Sequence, residues 1–169
     1  MAEIAIYWED LAPGSVRQLG SVMPTAQEIA AFARQFDPQP FHLDEAAGAQ
    51  SVFGGLCASG WHTCAMAMRL TVDNFLSRSA SMGSPGLENL RWPKPVFAGD
   101  TLRLQHTILE SRPLNSRPEI GMVRSRWEMF NQHGEQVLTM EGMGMFKRRN
   151  PGLPAAPPPG GAPATPEAR

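Results

Sequence analysis

The sequence predicts an α+β fold: an antiparallel sheet of consecutive strands that curls around one long apolar helix. Two observations carry this. Between Glu45 and Arg69 no Asp, Glu, Lys or Arg occurs, so the run after Gly55 is fit for burial on every side, as a central helix is. Beyond residue 100 the pattern changes from helical spacing to strict alternation. Strands that follow helices, rather than alternating with them, place the helix on one face of an antiparallel sheet.

Taken in order, residues 15–22 alternate loosely and form a first strand that Pro24 ends. Thr25-Ala26-Gln27-Glu28 is a capping box, and Ile29, Phe32, Ala33 and Phe36 follow at helical spacing, which predicts a helix from about Ala26 to Phe36. Pro38 disfavours helical geometry at Asp37, so Asp37-Pro38-Gln39-Pro40-Phe41-His42 is a stiff polar loop. Asp44 caps a second short helix through Ala49, and Gly54-Gly55 then opens the central helix, continuing to about Leu76. A strand is expected near Leu87–Trp92. Leu102, Leu104, His106 and Ile108 share one strand face; Val123, Ser125, Trp127 and Met129 share the next; Leu138, Met140 and Phe146 the last. Asn131 to Glu135 reads as a hairpin turn between the last two strands, and Arg112-Pro113 through Arg117-Pro118 as a longer connection.

A chain of 169 residues holds one domain with a real core, expected over residues 1–149, and residues 150–169, built almost wholly of Pro, Ala and Gly, are expected to be a disordered tail. The net charge of −1 offers no broad attraction for nucleic acid or anionic lipid, so neither is an expected partner. Early acidic residues and the lack of a basic, then apolar, leader exclude a secretory signal, and the protein is expected in the cytoplasm. Gly54, Gly55, Ser59, Gly60, His62 and Thr63 make the uncharged run a poor membrane span. Cys57 and Cys64, seven apart on one helix, would be about 10 Å from each other and unable to pair, which fits buried thiols in a reducing compartment.

Asp37 and His42 are the foremost chemical candidates. They place a carboxyl and an imidazole five positions apart on a backbone restricted by two prolines, at the mouth of the central helix. The blander account is that Asp37 closes a helix and His42 caps the next turn. Gly54-Gly55 at a helix start offers free N–H groups and a positive dipole end to a developing oxyanion, the alternative being a close-packed turn that needs no side chain. Ser59 and Thr63 share a helix face. Their commonest fate is a bond to the carbonyl one turn back, and the sharper reading makes Thr63 a polar contact to the Asp37 loop. His62 is read as a satisfied structural residue. Arg91 and Lys94 flank Trp92-Pro93, a basic-aromatic corner suited to an anionic ligand or simply to a solvated edge. His106 and His133 have no ligand spacing with His42, so no metal is expected.

Asp37-Pro38-Gln39-Pro40-Phe41-His42-Leu43-Asp44, then Phe53-Gly54-Gly55-Leu56-Cys57-Ala58-Ser59-Gly60 and Pro95-Val96-Phe97-Ala98-Gly99-Asp100, resemble the MaoC-like dehydratase family, which includes the (R)-specific enoyl-CoA hydratases. That family's motif is Asp-x-Asn-Pro-x-His-x-Asp, followed by a His-Gly or Gly-Gly step that opens the long helix. The resemblance implies a hot-dog fold, usually dimerised through its sheet. Asp37 and His42 would be the catalytic pair, Gly55 (beside Gly54) the amide that binds the thioester oxygen, and Thr63 a supporting hydroxyl. Gln39 stands in place of the motif's Asn, and Gly54 where many relatives have His. The implied activity is interconversion of a 2-enoyl-CoA and an (R)-3-hydroxyacyl-CoA, with no cofactor beyond the CoA of the substrate and a homodimer or higher homo-oligomer as the unit. A hot-dog thioesterase and a non-catalytic acyl-thioester binding module are the alternatives.

Overall fold

A computed structural model describes residues 3–152. The order of elements is β1 (Val16–Val22), α1 (Ala26–Phe36), α2 (Pro40–Leu43), α3 (Glu45–Gln50), α4 (Gly60–Asn74), β2 (Ser81–Arg91), β3 (Leu102–Leu114), β4 (Arg117–Phe130) and β5 (Gln136–Lys147). One five-stranded sheet in the order β1-β3-β4-β5-β2 carries α4 against one face, the expected α+β architecture. The expectation of a disordered tail from 150 to 169 lies, past residue 152, outside the described residues.

Alternation in the strands becomes burial. Leu102, Leu104, His106 and Ile108 of β3 are buried, as are Val123, Ser125 and Met129 of β4, and the apolar ones among them meet Met66 and Ala67 of α4 in one cluster with Leu19, Leu138 and Phe146. Each buried Val, Leu, Ile, Met or Phe side chain among them stabilises the fold by roughly 1.5–3 kcal/mol relative to exposure. The α1 cap forms as its sequence demands: Thr25 Oγ1 accepts from Glu28 N at 3.2 Å and the Glu28 carboxylate accepts from Thr25 N at 2.8 Å. Between β4 and β5, Asn131 Oδ1 accepts from His133 N and Glu135 N, each at 3.0 Å, and Gly134 takes the positive φ of 76° that closes the turn.

Five expectations are corrected. The helix does not start at Gly54-Gly55: residues 56–59 run extended, because Cys57 N donates to Phe41 O at 3.4 Å and Ala58 N to Val96 O at 2.8 Å, and α4 opens only at Gly60. Cys57 therefore precedes the helix, and it and Cys64 are free thiols that share no helix face. Nor is α4 buried on every side; one sheet covers one face, that of Thr63, Met66, Ala67 and Thr71, while Trp61, Met68 and Val72 stay exposed. Finally, the expected long connection around Pro113 and Pro118 is a tight hairpin with Leu114 opposite Arg117, and the strand expected near Leu87 starts at Ser81. Pro113 and Pro118 are tolerated because β1 reaches β3 only as far as Thr107 and β5 pairs β4 only from Ile120, so neither proline faces a flanking strand. In β2, Gly83, Pro85 and Gly86 interrupt the ladder with register shifts and hide the alternation.

Candidate active site

Three backbone devices bring the site together. Pro38 stops α1, leaving Asp37 as its C-cap, with an amide that still donates to Ala33 O at 2.9 Å. Pro40 starts the single turn of α2, which turns His42 inward until it is only 5% exposed. Ser59 ends the extended segment and caps α4 by accepting from Trp61 N at 3.2 Å.

These side chains converge on the Asp37 carboxylate. Ser59 Oγ donates to Oδ2 at 2.7 Å, Gln39 Nε2 donates to Oδ1 at 2.8 Å, and His42 Nε2 stands 3.5 Å from Oδ2. The Ser59 hydroxyl, then the Gln39 amide and the His42 ring, hold Asp37 below the usual carboxylate range against the opposing pull of burial. Gln39, the departure from the motif, thus uses its extra methylene to reach the carboxylate. On the other side of the imidazole, His42 Nδ1 lies 2.7 Å from the carbonyl of Cys57. A carbonyl only accepts, so the hydrogen bonding places a proton on Nδ1 and leaves Nε2 directed at Asp37. The Cys57 thiol, 3.6 Å from Nδ1, has its pKa pushed up by burial and is not an activated nucleophile.

The group opens into a cleft of about 490 Å³ whose walls include Phe41, Phe53, Trp61, Trp92, Lys94 and Val96. Gly60, first residue of α4, lines it too, at the end of the helix where backbone N–H groups lack intrahelical acceptors and the dipole is positive. A Cβ on Gly60 would lie 2.6 Å from the Trp92 ring, so only glycine lets the indole sit against the helix start.

Of the residues singled out from the sequence, Asp37 and His42 meet, and Thr63 lines the same cleft with its hydroxyl given back to Ser59 O at 3.3 Å. Gly54 and Gly55 do not join them. Gly54 sits at φ 73° in a turn closed by its N–H on Ser51 O at 3.1 Å, and Gly55 packs against α3, where a Cβ on Gly48 would lie 2.6 Å from the Gly55 carbonyl carbon. The two glycines form a close-packed turn and are not among the residues lining the Asp37–His42 cleft. Sequence reasoning missed Gly60 as the helix-opening glycine and Ser59 as a partner of Asp37. The signal was present: Ser59 is a strong N-cap type directly before a glycine and an apolar run. His62, read as satisfied, stacks on Phe32 with ring centroids 4.6 Å apart, and among the described residues its buried Nδ1 has no hydrogen-bond partner. Lys94 stands at the rim, paired with Glu135 at 3.4 Å.

With this geometry in place, the chain can be set beside known proteins. A family model described as MaoC like domain matches residues 12–123. A MaoC-like dehydratase from Rhodospirillum rubrum is similar at 42% identity and a TM-score of 0.81, covering 86% of this chain and 99% of that one. The R-hydratase PhaJ1 from Pseudomonas aeruginosa is similar at 26% identity and a TM-score of 0.70, covering 85% of this chain and 87% of that one. Over 68 residues, 40% of this chain and 20% of its relative, the sequence is 43% identical to mesaconyl-CoA hydratase from Cereibacter sphaeroides.

Proposed function

The chain belongs to the MaoC-like domain family, with the hot-dog fold of its dehydratases, and on that premise we propose that it adds water to a 2-enoyl thioester, or removes it from the corresponding (R)-3-hydroxyacyl thioester, with coenzyme A as the carrier. One observation supports this above the rest: Asp37 Oδ2 and His42 Nε2 face each other across 3.5 Å, both lining one cleft. A water held beside the pair donates to the Asp37 carboxylate and is oriented by the imidazole.

In the forward direction Asp37 takes a proton from that water while its oxygen bonds to the β-carbon, and His42 Nε2 fixes the water's orientation. Electrons of the double bond move toward the thioester carbonyl. The resulting enolate oxygen is met by the Gly60 N–H and the positive end of α4, the role first expected of Gly55. The proton held by the pair then passes to the α-carbon, so water adds across one face of the alkene and the thioester bond stays whole. Thr63 shapes the cleft wall through its tie to Ser59.

The working unit is a homodimer. β2 lies at the edge of the sheet, exposed along almost its whole length, and α4 leaves Trp61, Met68 and Val72 exposed. No helix among the described residues is long and apolar enough to cross a membrane.

The test is a panel of enoyl-CoA and 3-hydroxyacyl-CoA thioesters assayed for enoyl absorbance and for free thiol together. Loss or gain of the enoyl signal with no thiol is the expected result. Released thiol would replace this reading with the thioesterase, and binding without either change with the non-catalytic module.

A further inference from the structure

We infer that Ser59 is a positioning residue for the hydration step: it ties the base Asp37 to the first turn of α4 and so fixes the carboxylate oxygen that faces His42. The inference rests on the hydratase reading for its catalytic meaning and on geometry for the tie itself. A serine hydroxyl has a single proton. Because Ser59 Oγ accepts from Trp61 N at 3.2 Å, that proton is left for Asp37, whose Oδ2 lies 2.7 Å away. The residue is fixed at its main chain as well, since its carbonyl accepts from Thr63 N at 3.0 Å and from Thr63 Oγ1 at 3.3 Å. At 1% exposure, no bulk water can take its place.

The oxygen that Ser59 holds is the one that faces His42. Oδ1 is occupied by Gln39 at 2.8 Å, so Ser59 determines which lone pair of Oδ2 remains to receive a proton from water. Other ionisable groups around the cleft are few. His42 comes from α2, the Cys57 thiol from the extended segment, and Lys94 from the wall after β2, where Glu135 already neutralises it at 3.4 Å. Without the Ser59 hydroxyl, Asp37 keeps Gln39 on one oxygen and has no donor of comparable length on the other. The carboxylate is then a stronger proton acceptor in the free protein but a poorly aimed one.

The experiment compares wild type with Ser59→Ala, Ser59→Gly and Ser59→Thr by ¹³C-carboxyl NMR titration of Asp37 and by the pH profile of kcat/KM for an enoyl-CoA. Glycine is a better N-cap than alanine, so the Gly variant separates loss of the hydroxyl from loss of the cap. In Ser59→Ala and Ser59→Gly the Asp37 midpoint and the acid limb of the profile should both rise by about one to two pH units, the scale of one hydrogen bond to a charged group, with kcat reduced more than KM is raised. Ser59→Thr should restore both. A shifted carboxyl titration in a protein that hydrates no enoyl thioester would keep the tie and remove the hydratase reading. An Asp37 midpoint unchanged in both the Ala and Gly variants overturns the inference.

Discussion

His42 Nε2 stands 3.5 Å from Asp37 Oδ2 because the opposite ring nitrogen is held at 2.7 Å by the Cys57 carbonyl. The imidazole is thereby fixed with Nε2 toward the carboxylate, where it orients the attacking water. Replacing His42 by Ala should lower turnover by about 100-fold or more, the usual worth of an acid–base partner, while leaving substrate binding far less affected. Circular dichroism matching wild type, with kcat reduced and KM nearly unchanged, is the expected pattern.

Placing the oxyanion site at Gly60 and not at Gly55 separates two variants. A Cβ on Gly60 would lie 2.6 Å from the Trp92 ring and displace the wall beside the amide, whereas one on Gly55 would meet only the Phe97 ring edge at 3.3 Å. Gly60→Ala should cost about 100-fold or more in kcat, the loss typical of one oxyanion donor, and Gly55→Ala should stay within a few-fold of wild type. Equal losses in the two would return the role to the turn.

The buried ring of His106 makes a prediction about stability. It lies between Phe75 and Trp127, with centroids 5.0 Å from each, and neither ring nitrogen has a hydrogen-bond partner among the described residues. Burial, with the Arg17 charge adding to it, pushes its pKa down from 6.5 to about 4. Between these values the unfolded chain binds a proton that the native chain does not. Stability should therefore fall as pH drops through 6.5 and level off below about 4, a loss on the order of 3 kcal/mol from this residue. Urea denaturation of His106→Leu at pH 7 and pH 5 should show that slope reduced relative to wild type.

Light scattering should report a dimer. Leu87 is 48% exposed on the edge strand β2, and Leu87→Lys, which places a charge on that edge, should shift the protein toward monomer. A wild-type monomer with full activity would contradict the assembly proposed here.

Much of this was legible in the sequence, for identifiable reasons. The capping box at Thr25, the proline stop after Asp37 and the alternation of β3 to β5 are local signals, and each produced its element where expected. The start of α4 was not local. A charge-free run does not distinguish an extended buried segment from a helix, and residues 56–59 are extended because Phe41 O and Val96 O take their amides, partners far away in the chain. That one displacement moved the opening glycine of the helix from Gly55 to Gly60 and hid the bond from Ser59 to Asp37. Equally, only the end of the Ser81–Arg91 strand, near Leu87, was legible, because the glycines and proline before it break the alternation that would announce the rest.

The central claim, that Asp37 is the base that activates water for addition to an enoyl thioester, is tested most directly by Asp37→Asn. The substitution keeps the shape and the Ser59 and Gln39 contacts within reach but removes the proton acceptor. Hydration of crotonyl-CoA and longer enoyl-CoAs, followed by loss of enoyl absorbance with free thiol recorded in parallel, should proceed in wild type without thiol release and fall about 100-fold or more in the folded variant. Near wild-type hydration by Asp37→Asn would contradict the account.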